Sequence, residues 1–266
     1  MFQSKKFTFD NIKSSDMGVM MIYSSLPTKI LGVQKSIGSS STRTSKNYLG
    51  TSFHDNLNIP TFSIYITFVD SSEVAIIPTP SQKIKVLSWL IPSNGQYKAF
   101  VPEDNGLEYY VKVTSITEQQ YQNGLELQIT FQMNSPYTYI PLIVKDFNLS
   151  GMPNQTATLD IENLCNVMTT FKPIIKFKAS PYSTGTTSFT VTNNTTGDSF
   201  TISEIEAGET VYINNRREFI NSSLEDTFRL NNFTGEFIEM YQGINNLTFK
   251  GDGKVFFEAH YPTLMF

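Results

Sequence analysis

One cysteine and two histidines are the residues of this sequence whose types suit thiol-based catalysis. Cys165 would act as the nucleophile, with His54 or His260 as the base that activates it. Cys165 lies beside the apolar Leu164 and Val167, and this setting favours a small buried filler over a reactive thiol. A single cysteine also excludes an internal disulfide and a multi-cysteine metal site, and two histidines leave little material for a histidine-rich metal centre.

Neighbouring acidic residues are a second set with a conceivable chemistry, because glycoside hydrolysis uses a pair of carboxyl groups. The pairs are Glu103-Asp104, Glu204 with Glu206, and Glu225-Asp226. Adjacent acids in turns are the ordinary state of a solvated loop, so we interpret these pairs as surface residues. Asp252 lies between two glycines, a setting that suits either a cation ligand or a tight turn, and the turn is the more ordinary use.

Motifs and charge exclude several further functions. The sequence contains none of the short motifs that cradle a nucleotide, hold a catalytic zinc or present a nucleophilic serine. Its 24 acidic and 20 basic residues leave a net charge of −4, and Arg216-Arg217 is too short a basic patch to bind nucleic acid. It also lacks a run of about 18 apolar residues for a membrane-spanning helix. We expect no enzyme, no catalytic residues, no cofactor, no metal site, no nucleic-acid recognition and no membrane partner.

The elements that carry these residues are mainly strands. Of the 266 residues, 39% are hydrophobic and 13% are aromatic, which is enough for packed sheets. Apolar and polar residues alternate in the stretches Phe62–Phe68, Leu107–Val113 and Leu125–Met133, and a period of two predicts strands. Turn signals punctuate them at Asn94-Gly95, Asn105-Gly106 and Asn123-Gly124. The first half therefore predicts a mostly antiparallel sheet.

One segment of the first half has helical spacing instead. Ser81 follows a proline and is the predicted cap of a short helix that runs to about Leu90, with Ile84 and Leu87 spaced by three on one face. Trp89, the only tryptophan, lies at the end of this helix. We expect Trp89 to seal the helix onto a sheet rather than to stack on a ligand, because buried aromatic residues mostly pack.

The second half predicts a separate all-β domain. The stretch Ile140–Leu164 has weak periodicity and contains two prolines and Gly151, so it is interpreted as a linker or domain edge. Short strand patterns then follow at regular spacing, which is typical of a β-sandwich. They are centred on Ile175 and Phe177, Phe189 and Val191, Phe200 and Ile202, Val211 and Ile213, Leu247 and Phe249, and Val255 to Tyr261. Phe200, Val211, Val255 and Phe257 are the predicted interior residues.

Four stretches of the first half carry distinctive motifs: an aromatic strand with a Ser-Ser-Asp-x-Gly turn, a helix that closes on Trp-Leu, a strand with an Asp plus Tyr-Tyr, and a Pro-Tyr boundary. These stretches are Phe7–Val19, Lys83–Leu90, Pro102–Val113 and Phe131–Tyr137. They resemble the distal tail proteins (Dit) of tailed phages that infect Gram-positive bacteria. The second half resembles the family's galectin-like sandwich at Pro173–Phe177, Val191–Gly197, Ala207–Ile213, Gly243–Phe249 and Lys254–Phe257. The matches occur in order over nearly the whole chain.

The resemblance implies a structural, non-enzymatic virion protein. Members form a homo-hexameric ring below the tail tube and join it to the tail-tip or hub protein, which resembles a tail-associated lysin, and to receptor-binding or baseplate proteins. It implies an N-terminal ring-forming β domain at residues 1–140 and a C-terminal galectin-like sandwich at residues 141–266. Tyr65 and Tyr110 are candidate ring contacts, because tyrosine is enriched at interfaces. The implied location is the phage tail tip, after synthesis in the cytoplasm of the bacterial host.

Two alternatives stay open at this stage. Galectin-like sandwiches also bind sugars, and fold does not fix function, so a carbohydrate-binding module or adhesin of the tail is the second hypothesis. A cell-wall hydrolase component of the same tail is the third. A sugar site needs aromatic and polar groups clustered on one face, and a hydrolase needs a positioned acid or metal.

Overall fold

The computed structural model describes residues 4–25, 35–45, 48–57, 59–91, 95–121, 123–150 and 152–264. These residues divide into two compact units. The first holds the described residues up to Tyr139 together with Leu264, and the second holds Ile140–Thr263. Each unit has its own cluster of buried apolar side chains. The predicted mainly-β fold with one short helix is confirmed.

The first unit is built on one antiparallel sheet. Its elements are β1 (Phe7–Phe9), β2 (Ile12–Lys13), β3 (Val19–Ser25), β4 (Lys35–Ser45), β5 (Tyr48–Leu57), β6 (Thr61–Phe68), α1 (Pro80–Leu90), β7 (Lys98–Pro102), β8 (Tyr109–Tyr121), β9 (Gly124–Met133) and β10 (Tyr137–Tyr139). Seven of these strands form a sheet in the order β2-β1-β7-β8-β9-β6-β3. The predicted strands β6 and β9 are neighbouring interior strands of this sheet, with Ile64 opposite Ile129. The predicted turn at Asn94 lies outside the described residues.

Aromatic side chains fill the core of the first unit. Phe100 and Phe131 lie 5.4 Å apart between ring centres, and Phe62 lies within 5.9 Å of both. Trp89 stacks on Phe7 at 5.8 Å, and its indole N–H donates to the backbone oxygen of Phe9 at 3.0 Å. The expectation that Trp89 seals the helix onto the sheet is confirmed.

The helix begins two residues earlier than its sequence indicates. Thr79, not Ser81, is the N-cap: its hydroxyl accepts the backbone N–H of Gln82, and the Gln82 side chain accepts the backbone N–H of Thr79 in return. Pro80 then takes the first helical position, where a missing N–H costs nothing. The buried face consists of Val86, Trp89 and Leu90, while Ile84, expected on that face, is 64% exposed.

The Ser-Ser-Asp-x-Gly turn of the first unit has a structural role. The Ser14 side chain is fully buried and accepts the backbone N–H of Phe7 at 3.2 Å, which ties the turn to β1. Gly18 closes the turn with a left-handed φ of 66°, a conformation that glycine adopts without strain. Its carbonyl oxygen then accepts the N–H of Val69 at 3.0 Å. The motif therefore positions β1 and β3 for the sheet.

Strands β4 and β5 form a separate two-stranded antiparallel ribbon, which the sequence pattern does not predict. Lys35 pairs with Leu57 at one end and Ser45 with Tyr48 at the other. The ribbon is rich in serine, threonine and glycine and lacks sustained alternation, so it has no strand signature of its own.

The second unit is a pair of five-stranded antiparallel sheets. Its strands are β11 (Ile143–Asn148), β12 (Thr156–Asn163), β13 (Thr170–Phe171), β14 (Ile174–Ala179), β15 (Thr187–Asn193), β16 (Ser199–Ile205), β17 (Thr210–Asn214), β18 (Phe219–Ser222), β19 (Phe233–Gly235), β20 (Met240–Tyr241), β21 (Gly243–Lys250), β22 (Gly253–Ala259) and β23 (Pro262–Leu264). The sheet orders are β11-β22-β14-β17-β18 and β12-β21-β15-β16-β19, with β13 and β20 as a short extra pair. Two sheets that share one apolar cluster match the predicted β-sandwich.

The stretch Ile140–Leu164 is a domain edge and not a linker, because the second unit begins at Ile140 and the stretch contributes β11 and β12, one edge strand of each sheet. Most side chains of these two strands are exposed or half-buried, and Ile161 is their one buried apolar side chain. Because so few of the side chains are buried, the strands carry little hydrophobic alternation and their sequence resembles a loop.

The sandwich core contains the four residues predicted for it. Phe200, Val211, Val255 and Phe257 are each at most 1% exposed. The tight turn at Asp252 then returns the chain through Gly253, where a Cβ would lie 2.2 Å from the backbone oxygen of Lys178. Only glycine lets β22 approach β14 so closely.

Within the part of the chain that the structure describes, no helix has the length and apolar character to cross a membrane.

Candidate functional site

The cysteine and histidines do not form a catalytic pair in the described residues. Cys165 is fully buried, and its backbone N–H donates to the side-chain oxygen of Asn163 at 2.9 Å. This is the setting of the small filler that the sequence indicates. His260 is half-buried next to the buried Tyr261. The side chain of His54 lies outside the described residues.

All six residues of the acidic pairs are exposed. Glu204 accepts a hydrogen bond from the Asn232 amide at 2.7 Å. In the described ranges, no group of three histidine, cysteine or acidic residues is placed to hold a metal ion.

Asp252 serves the turn in which it lies. Its carboxylate accepts the Ser183 hydroxyl at 2.6 Å, and hydrogen bonds from Ser183 and then Ser150 hold the pKa of Asp252 below its usual value. The side chain therefore binds hydroxyl groups of its own unit.

A buried ion pair is the first polar feature that the sequence does not reveal. Arg229 donates from Nε to Oε1 of Glu209 at 2.7 Å and from a terminal nitrogen to Oε2 at 2.5 Å, and both side chains are buried. Ser222 and the backbone N–H of Glu206 donate to the same carboxylate. Burial raises the pKa of Glu209, but the bonds from Arg229, Ser222 and Glu206 outweigh it, so this pKa lies below its usual value.

The most distinctive surface feature of the second unit is an open cavity of about 550 Å³, here called the acidic groove. It lies where β19 and the segment after it meet β13 and two turns. Its lining residues are Lys172, Asp198, Glu218, Phe233, Gly235, Glu236, Phe237, Glu239 and Tyr241. Four carboxylates therefore face one ammonium group.

The single cation of the acidic groove is already held by two of its carboxylates. Lys172 Nζ lies 2.9 Å from Glu239 and 3.2 Å from Glu218. The hydrogen bond to Glu239 is the main cause that raises the pKa of Lys172, with a further contribution from Glu218. Asp198 and Glu236 add two more negative charges to the same cavity. The groove thus keeps an excess of negative charge at neutral pH.

Aromatic rings form the apolar part of the acidic groove. Phe233 and Phe237 stack with ring centres 4.6 Å apart, and Phe233 leans on the buried Phe200 at 5.5 Å. Tyr241 is 55% exposed. Gly235 brings β19 against β16: a Cβ there would lie 2.1 Å from the backbone oxygen of Ser199. These contacts attach the aromatic wall to the sandwich core.

Four fully buried asparagines fix the backbone of the segment that carries this wall. Asn215 accepts the N–H of Ile238 at 2.9 Å and donates to the oxygen of Pro173 at 2.8 Å. Asn193 donates to the oxygen of Glu239 at 2.7 Å. All four asparagines are at most 1% exposed, so their hydrogen bonds are shielded from water.

The other two asparagines continue this network along the same segment. Asn163 donates to the oxygen of Met240 at 2.8 Å. The side-chain oxygen of Asn245 accepts the backbone N–H of Tyr241 at 3.1 Å. Its side-chain nitrogen donates to the backbone oxygens of Tyr241 at 2.7 Å and Gly243 at 3.0 Å. Side-chain amides thus supplement the short β13–β20 pairing over residues 238–243. Because these hydrogen bonds are buried and directional, the network holds the segment in one conformation.

A sequence signal for this network exists in the asparagine doublets. Asn193-Asn194, Asn214-Asn215 and Asn245-Asn246 each lie within or at the end of a strand, and one member of each is buried. The acidic groove itself has no local signal, since Lys172, Asp198 and Glu236 come from distant parts of the chain.

The first unit has a smaller cavity, of about 260 Å³, beside the Ser-Ser-Asp-x-Gly turn. Ser15, Gly18 and Asp70 line it, together with the exposed ion pair of Lys6 and Glu73 at 2.9 Å.

The two tyrosines expected at ring contacts, Tyr65 and Tyr110, are half-buried in the first unit. The Tyr110 ring meets that of Tyr139 edge-on at 5.4 Å, and burial is the main cause that raises the pKa of Tyr110.

Two family models cover most of the chain. Residues 2–135 match the phage tail protein N-terminal domain, and residues 143–259 match the phage tail C-terminal domain. The chain belongs to this family of phage tail proteins. No curated protein matches the sequence significantly.

The fold of this phage tail protein is similar to solved tail components. The crystal structure of Dit from phage SPP1, described as a paradigm of the hub adsorption apparatus in phages that infect Gram-positive bacteria, aligns over 96% of this chain and 98% of its own with a TM-score of 0.56 and 11% identity. The phage P2 baseplate in its activated conformation with calcium aligns over 96% and 97%, with a TM-score of 0.49 and 10% identity. The resemblance to distal tail proteins is thus confirmed as phage tail membership and as a Dit-like fold.

Proposed function

We propose that this phage tail protein is the distal tail protein of its virion, a homo-hexameric ring that joins the tail tube to the tail tip. The observation that carries the proposal is the likeness of both units together to the SPP1 Dit protein, over nearly the full length of each chain. On this proposal the partners are the tail tube protein, a tail-tip hub protein that resembles a tail-associated lysin, and receptor-binding or baseplate proteins. The protein acts during host attachment and is made in the host cytoplasm.

The proposal assigns residues 1–140 to the ring and residues 141–266, as a galectin-like sandwich, to the periphery. An open sheet supports the first assignment: β2 and β3 are the end strands of the seven-stranded sheet, and β4 with β5 form a ribbon of two. Edge strands offer backbone groups that a neighbouring copy can pair with. A closed ring uses such unlike, complementary patches on every protomer. Tyr65 and Tyr110 are the proposed contacts on the strand faces.

The proposed role is structural and needs neither an enzyme centre nor a cofactor. Cys165 is buried, and the carboxylate of Asp252 accepts a hydrogen bond within its own turn region. These side chains therefore have structural roles. We expect no hydrolysis of cell-wall polymers, and a chelator should leave the melting temperature unchanged, because removal of a structural metal would lower it. A fall in melting temperature on adding a chelator would contradict this part of the proposal.

Position on the virion tests the proposal. Antibody raised against the purified chain, coupled to gold and viewed on intact phage by electron microscopy, should label the distal end of the tail. Label along the tail tube or on the head would contradict a distal tail protein.

A second candidate function is sugar binding by an adhesin. The exposed Tyr241 beside the carboxylates of the acidic groove is the observation that favours it, since saccharide sites combine aromatic and polar groups. A glycan array probed with the full chain tests it: a hit that is lost in Tyr241→Ala would support the adhesin over the hub.

A further inference from the structure

We propose that the acidic groove of the second unit binds an extended, lysine- or arginine-bearing segment of a neighbouring tail protein. The inference rests on the proposed hub function for the source of that segment, and on the groove alone for its chemistry.

Charge complementarity identifies the occupant as cationic. Lys172 shows how the groove receives an ammonium group: Nζ lies within 3.2 Å of carboxylates from two distant parts of the chain, Glu218 and Glu239. Asp198 and Glu236 line the same cavity and leave the negative charge in excess. A second cation entering beside Lys172 offsets this like-charge crowding, whereas an acidic or phosphorylated segment increases it.

The shape of the groove suits an extended chain. Phe233 and Gly235 belong to β19, the last strand of its sheet in the described residues, so a segment in the groove runs beside a strand edge. Addition of a strand to a sheet edge is a recurring mode of peptide recognition, with affinity from the backbone and specificity from alternate side chains. The volume of about 550 Å³ is in the range of ligand pockets in proteins. Alternate basic side chains of the segment would face Glu236 and Asp198, and the stems of those side chains would lie on Phe237 and Tyr241.

The wall is pre-organised for such a partner. The asparagine network fixes the backbone on either side of Glu239 and Tyr241 before any ligand arrives. A rigid wall lowers the ordering cost of binding, which is a main expense of association. A solvated acidic surface that served only solubility would need no such buried support.

The test is fluorescence anisotropy with the full chain and short labelled peptides that alternate lysine with threonine. Glu236→Gln, which removes a charge at constant size, should weaken binding about tenfold and flatten its salt dependence. Glu225→Gln, an exposed acid of the same unit outside the groove, is the matched control and should leave binding unchanged. Lys172→Met should tighten binding, because it removes the resident cation that competes for Glu218 and Glu239.

Three outcomes would overturn the inference. They are equal affinity for a peptide that alternates glutamate with threonine, equal effects of Glu236→Gln and Glu225→Gln, or binding of a neutral chitin oligosaccharide in place of the cationic peptide. These results are independent of ring formation. A hexamer that does not bind the peptide would contradict this inference and leave the hub proposal standing. A monomer that binds the peptide would contradict the hub proposal and support the groove as a peptide site.

Discussion

The two units of this phage tail protein hold their irregular parts in place by different physical means. In the first unit the α-helix is sealed by Trp89, and the sheet is packed by a cluster of phenylalanines. In the second unit the segment around the short strand β20 is held by Asn193, Asn215 and their partners, and a loop is held by the buried pair of Glu209 and Arg229.

This difference determines what each unit tolerates. An apolar contact is non-directional, so the first unit is sensitive to lost volume above all. A buried polar network is directional and leaves orphaned groups when one member is removed. We therefore expect the second unit to be more sensitive than the first to polar substitutions and to pH.

The largest expected effect is a cavity in either core. Phe131→Ala in the first unit and Phe257→Ala in the second, both 0% exposed, should each lower the free energy of unfolding by about 3–5 kcal/mol. Because the two apolar clusters are separate, calorimetry should show each substitution lowering one transition and leaving the other. A single transition that shifts equally in both variants would contradict two independent cores.

Removal of the buried cation should rank close behind. Arg229→Met leaves the Glu209 carboxylate buried without its main partner, and the expected cost is about 3–5 kcal/mol in the second unit. Arg216→Met, at an exposed turn of the same unit, is the control and should change stability by no more than about 0.5 kcal/mol. Equal effects of the two would show that the ion pair contributes nothing.

Acid should act through the same carboxylate. The pKa of Glu209 is lowered in the folded state from an ordinary 4.5, so the unfolded chain takes up the proton first as pH falls. Its contribution to stability is therefore complete above about pH 5 and is lost as pH falls through the folded pKa. The melting temperature of the second unit should fall in this window, and the fall should be smaller in Glu209→Gln. An unchanged slope in that variant would assign the acid sensitivity to other groups.

Loss of one asparagine should have an intermediate effect. Asn215→Ala leaves the N–H of Ile238 without its acceptor and removes the amide donor to the oxygen of Pro173, which keeps only the backbone N–H of residue 215. The expected cost is about 1–3 kcal/mol. Hydrogen exchange should become faster at the amides of residues 238–243, whereas the exposed Asn231→Ala should leave them protected. Uniform acceleration throughout the second unit would show that the network stabilises the whole sandwich and not this wall.

The smallest effect concerns the helix cap. Thr79→Ala should cost about 1 kcal/mol in the first unit, while Ser81→Ala should cost less, because Ser81 lies inside the helix and not at its cap. A larger loss of thermal stability in Ser81→Ala than in Thr79→Ala would show that Ser81 is the cap.

The parts of the fold that could be predicted from the sequence are those where burial dictates residue type. Strands β6 and β9 are interior strands of their sheet, and Phe257 is fully buried in the sandwich, so alternation reveals them. Strands β11 and β12 are sheet edges, and the ribbon of β4 and β5 lacks apolar alternation, so neither has a strand pattern. The helix cap was misplaced because a proline at the first helical position assigns the cap to the residue before it.

The acidic groove was beyond prediction for a different reason. Lys172 and Glu239 are 67 positions apart in the chain, and the antiparallel pairing of β13 with β20 brings them to 2.9 Å. Paired acids in sequence, such as Glu225-Asp226, proved to be exposed turn residues. Local spacing identifies chemistry only when one element carries all of it.

The molar mass of the full chain in solution tests the central claim most directly. Light scattering over a wide range of concentration should give the mass of six protomers of 30.1 kDa each, and the hexamer should persist in Phe257→Ala, whose defect lies in the other unit. A chain that stays at the mass of one protomer at the highest concentrations would contradict the ring.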